Sequence, residues 1–66
     1  SKKRPSIHLL LAKIYELKGD RDLEADQLRR YLKLAPHSTE SDVIRSILRE
    51  ILSQATDSPA TKLPIE

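Results

Sequence analysis

The chain has 66 residues, enough for one small domain, and a domain of that size buries only about 60% of the surface its unfolded form exposes. It has no cysteine, which excludes disulfides and thiolate metal sites as reinforcement, and one glycine and two tyrosines beside many Leu, Ile, Glu, Lys, Arg and Ala favour helix over sheet. The net charge of +2 is uneven: Lys2, Lys3 and Arg4 hold the excess, residues 5–54 carry as many acids as bases, and Asp57 and Glu66 outweigh Lys62 at the end.

No apolar run reaches the roughly 18 residues of a membrane span, so a soluble chain with no membrane partner is expected. No signal peptide is visible, and with no Met, even at position 1, the sequence reads as a fragment or processed product.

Residues 1–4 are expected to form a disordered basic arm. Pro5 suits the first turn of a helix, where its missing N–H is no loss. Ile7, Leu10, Leu11, Ile14 and Leu17 then recur at a helical period, and Leu9 and Tyr15 widen that face. Gly19 stops the pattern as a residue that tolerates positive φ, and Lys18 before it favours the negative end of the helix dipole, so the first helix spans about 5–18.

Asp20 or Asp22 can cap a second helix, whose positive end Asp22, Glu24 and Asp26 then suit. Ala25, Leu28, Tyr31, Leu32 and Ala35 are spaced by three and four until Pro36 intervenes, which gives a helix over 22–34. His37-Ser38 is a short connection, and Thr39-Glu40-Ser41-Asp42 has the form of a capping box with Thr39 as the cap. Val43, Ile44, Ile47, Leu48, Ile51 and Leu52 follow at helical rather than alternating spacing, which gives a third helix over 40–54. Ser58-Pro59 and Leu63-Pro64 break any further helix, so 56–66 reads as a flexible tail, with a natural C-terminus expected near Glu66.

Short connections make these helices antiparallel neighbours, and the expected fold is an all-α, three-helix unit over residues 5–55. Its expected core is Leu10, Leu11, Ile14, Tyr15, Leu28, Tyr31, Leu32, Ile44, Ile47, Leu48 and Ile51.

The stretch from Leu11 to Asp20 and the stretch from Leu28 to Pro36 resemble the tetratricopeptide repeat, a unit of about 34 residues made of two antiparallel helices. The resemblance rests on the large–small pair Leu11-Ala12, on Tyr15 three residues on, on Gly19 between the helices and on Pro36 after Leu-Lys-Leu-Ala. Two positions depart from the family: Glu24 stands where a small residue is usual, and bulky Tyr31 occupies a small position near the end of the second helix.

The resemblance implies an antiparallel hairpin, with the third helix opening a further repeat or capping the array. It also implies a role in binding protein or peptide segments along a groove lined by first helices, here Ser6, Leu9, Lys13 and Glu16. Such repeats are usually stable only when at least three stack, so self-association or upstream repeats are expected. A structural oligomerisation or capping element is the alternative role.

Catalytic and metal chemistry is not legible. His8 and His37 lie 29 residues apart with no cysteine to complete a zinc set. Asp20, Asp22, Glu24 and Asp26 alternate like a calcium loop, but its sixth and twelfth positions hold Ala25 and Tyr31 instead of glycine and glutamate. One glycine makes no phosphate loop, and no serine sits on a strained nucleophile turn, so neither a cofactor nor enzymatic activity is expected.

A small three-helix DNA-binding domain is a third reading. It is disfavoured because Arg45 and Arg49 are mixed with Glu40, Asp42 and Glu50, while Arg29, Arg30 and Lys33 sit on another helix. No nucleic-acid partner is therefore expected.

Overall fold

The computed structural model describes residues 4–56, so most of the expected basic arm, and the expected tail apart from Thr56, lie outside the described residues. The described chain is all-α, with α1 at Pro5–Lys18, α2 at Arg21–Leu34 and α3 at Ser41–Thr56. The first helix has the bounds its sequence signals require. The second begins one residue earlier than expected, and the third begins one later and runs two further.

The α1–α2 turn is short because each residue in it closes a helix end. Gly19 adopts φ 77° and donates its N–H to the Glu16 carbonyl at 3.0 Å, while Asp20 donates to the Tyr15 carbonyl at 2.9 Å. These paired bonds satisfy carbonyls that the end of a helix otherwise leaves open. Asp20, not Asp22, then caps α2: its Oδ1 accepts the Leu23 N–H at 3.3 Å.

The α2–α3 connection corrects the expected capping box. Thr39 makes no side-chain hydrogen bond among the described residues; the serines on either side bond instead to the backbone of the connection and the end of α2. Ser38 Oγ accepts the Glu40 N–H at 3.2 Å, and Ser41 Oγ accepts the Ser38 N–H at 2.8 Å while donating to the Ala35 carbonyl at 2.6 Å. Asp42 pairs with Arg45 at 3.0 Å instead of closing a box. Ser41, almost wholly buried, thus ties the end of α2 to the start of α3.

Packing centres on α2. It touches α1 along most of its length and α3 over a shorter stretch, while α1 and α3 scarcely meet. Its buried row is Glu24, Ala25, Leu28 and Tyr31, completed by Ala12 from α1 and by Ile44 and Ile51 from α3. Leu9, Leu32, Ala35 and Leu48 pack at the edge of this cluster.

Three residues expected in the core are exposed: Leu10 at 62%, Ile14 at 43% and Ile47 at 40%. Leu11 and Tyr15 are only half-buried. The reason is geometric. Apolar residues cover more than one face of α1, but α1 has one neighbour, so only the side carrying Ala12 is covered. Tyr31 is buried and its hydroxyl is satisfied by Ser38 Oγ at 2.6 Å, so a bulky residue is accommodated at that position.

Two substitutions separate packing from backbone effects. Ala12→Leu should overpack the α1–α2 contact and destabilise by about 1–3 kcal/mol. At Gly19 an added Cβ meets nothing within 4 Å, so Gly19→Ala should cost only the roughly 1–2 kcal/mol of the left-handed conformation. Urea unfolding followed by circular dichroism checks both values.

Candidate functional site

A groove runs between α1 and α3 with α2 as its floor, because both outer helices lean on α2 and not on each other. Leu9, Ala12, Lys13 and Glu16 of α1 form one wall. Their spacing of three, one and three places them on one side of that helix. Glu24 and Leu28 rise from the floor, and Ile44 and Ile47 form the opposite wall, around a volume of about 250 Å³.

Three of the four residues that the resemblance places in a binding groove, Leu9, Lys13 and Glu16, lie together on this wall. Ser6 does not line the groove; it is exposed on the first turn of α1. Lys13 Nζ lies 3.2 Å from Glu16 Oε1 with both side chains substantially exposed, so the pair contributes under about 1 kcal/mol and is readily exchanged for contacts with a ligand.

Leu28 and Ile44 are core residues as their spacing implies, but the places of Ile47 and Glu24 in the groove are not legible in the sequence. Ile47 was expected in the core but stands at the groove's edge. Glu24 suits the helix dipole from the first turn of α2, but it is buried at 4% exposure. A signal for this existed: Glu24 lies four residues before Leu28 on the buried row and three after Arg21, at ion-pairing distance on a helix. Arg21 Nη1 donates to Glu24 Oε1 at 2.7 Å, and its other terminal nitrogen reaches Gln54 Oε1 at 3.3 Å. The groove floor is thereby linked to the far end of α3.

The wall chemistry is mostly apolar, with charges at the rim and one buried carboxylate. Such a surface can hold an apolar side chain and make polar contacts to a backbone beside it. His8 is turned to a structural task, its Nδ1 lying 2.7 Å from Gln27 Oε1 across the α1–α2 contact, and His37 is exposed in the second connection. Among the described residues no three His, Cys, Asp or Glu side chains come close enough together to hold a metal ion, and no helix is long and apolar enough to cross a membrane.

Arg21→Ala should leave the buried Glu24 carboxylate without its cation. A loss of about 1–3 kcal/mol at neutral pH is expected, and Glu24→Gln in the same chain should recover part of it, both read from urea midpoints. The chain matches no family model, no curated protein and no solved structure.

Proposed function

We propose that this chain is a non-catalytic protein-interaction module of tetratricopeptide type, which holds a segment of a partner protein in the groove between α1 and α3. One observation carries the reading: in a concave setting Ile47 is exposed and Leu9 half-buried on facing walls above the buried Leu28, and exchangeable charges of Lys13 and Glu16 stand at the rim. A helical segment with apolar residues on one face, or an extended one with a single apolar anchor, fits such a groove. The hairpin of α1 and α2, with Ala12 at the close approach and Gly19 in the turn, supports the resemblance to the repeat.

The test uses a random-peptide phage library selected on the immobilised chain. Selected peptides should bind Ile47→Glu and the Lys13→Ala/Glu16→Ala double variant at least tenfold more weakly, while circular dichroism shows unchanged helicity. All of these positions are exposed, so folding is preserved. Equal affinity for the variants, or no selected peptide at all, would remove the groove from consideration.

A second reading, an oligomerisation or capping element of a longer array, is favoured by a separate observation. Ile7, Leu10, Ile14 and Leu17, spaced by three, four and three, leave an apolar stripe exposed on α1 away from α2, with Leu17 at 77%. That spacing is the one by which two helices pack along a shared seam. If the stripe stacks on another helix, sedimentation equilibrium should show mass rising with concentration for the native chain and a helical monomer for Leu10→Glu/Ile14→Glu. A native chain that is monomeric and helical at every concentration would retire self-stacking.

A further inference from the structure

A second concavity lies between α2 and α3 and shares no lining residue with the groove just described. It is a cleft of about 680 Å³ lined by Asp26, Arg29, Arg30, Leu32, Lys33 and Arg45. Read along the chain, Arg29, Arg30 and Lys33 are a solvated helix face. The fold adds Arg45 from α3 and turns that face into one side of a cationic cleft.

The charges in it are not equivalent. Arg30 Nε is 3.1 Å from Asp26 Oδ2, and Arg45 Nη1 is 3.0 Å from Asp42 Oδ1. Arg29 and Lys33 have no hydrogen bond or ion pair among the described residues. They stand four residues apart on α2, about 5–6 Å between Cβ atoms, where like charges weaken a helix. Lys33 gains from the helix dipole in the last turn of α2, but its repulsion with Arg29 opposes that gain. Arg45 is held in place by donating its other terminal nitrogen to the Pro36 carbonyl, while its Asp42 partner is 99% exposed and easily displaced. The result is two unneutralised cations beside a pre-positioned guanidinium, over a half-buried Leu32.

We infer that this cleft binds an acidic segment of a partner protein, with two Asp or Glu carboxylates seated on Arg29 and Lys33 and a third contact to Arg45. Carboxylates two residues apart on an extended strand, roughly 7 Å, or four apart on a helix match the Arg29–Lys33 spacing. Leu32 offers an apolar rest for their methylene stems. A nucleic acid fits less well: its continuous run of phosphates would be drawn against Asp26 and Asp42, which flank the cations. The assignment is independent of the α1–α3 groove.

Fluorescence anisotropy with a labelled eight-residue peptide carrying three glutamates, two of them two residues apart, tests it, with the chain titrated at low and at physiological salt. Binding should weaken with salt. Arg29→Gln/Lys33→Gln should reduce affinity at least tenfold and Arg45→Gln about threefold, with helicity unchanged, while Ile47→Glu in the other groove leaves affinity within twofold. No binding by the native chain, or equal binding by the double variant, overturns the assignment. A single-stranded oligonucleotide of equal charge that binds more tightly and is equally sensitive to the double variant overturns it in favour of nucleic acid. Inorganic phosphate that displaces the peptide at equal concentration reduces the cleft to a simple anion site and overturns it as well.

Discussion

The structure depends on α2 being covered from two sides. Its buried row of Glu24, Ala25, Leu28 and Tyr31 meets Ala12 of α1 on one flank and Ile44 and Ile51 of α3 on the other. Alanine at positions 12 and 25 keeps the packed surface small enough for backbones to approach closely. Because α1 and α3 scarcely touch, α2 carries the cohesion of the whole unit. The α1–α3 groove, the α2–α3 cleft and the bare stripe on α1 are the places this arrangement leaves open.

Polar contacts set the geometry that apolar burial alone leaves loose. At one end Tyr31, Ser38 and Ser41 close the α2–α3 connection through hydroxyl-to-hydroxyl and hydroxyl-to-backbone bonds. At the other, Arg21 bridges Glu24 and Gln54 across the same two helices. A buried hydroxyl or carboxylate left without its partner costs more than the bond itself contributes, so these networks restrict the angle between α2 and α3. That angle determines how wide the groove opens and how near Arg45 stands to Arg29 and Lys33. The two positions that depart from the repeat pattern, Glu24 and Tyr31, each belong to one of these networks.

The two concave surfaces differ in character. One is apolar with a buried carboxylate at its floor; the other is cationic with a leucine at its base. On the two proposals made above, these faces would hold unlike segments at once. The exposed stripe on α1 is a third kind of surface, apolar and convex, suited to another helix rather than to an extended segment.

The sequence by itself determined the element order and most helix ends. Those signals are local: Pro5, Gly19, Asp20 and Pro36 act on their own backbone, and three-to-four spacing acts within one helix. The start of α3 was less legible, because Thr39, Ser38 and Ser41 are chemically alike and only the path of the connection selects among them. Which apolar face becomes core was decided by tertiary structure. Leu10 and Ile14 are as hydrophobic as Leu28 and Ile44, and they differ only in whether a neighbour covers them. The sites follow the same division. Leu9, Lys13 and Glu16 share a side of α1 by helical geometry, but Ile44 and Ile47 face them, and Arg45 joins Arg29 and Lys33, only because α3 folds back across α2.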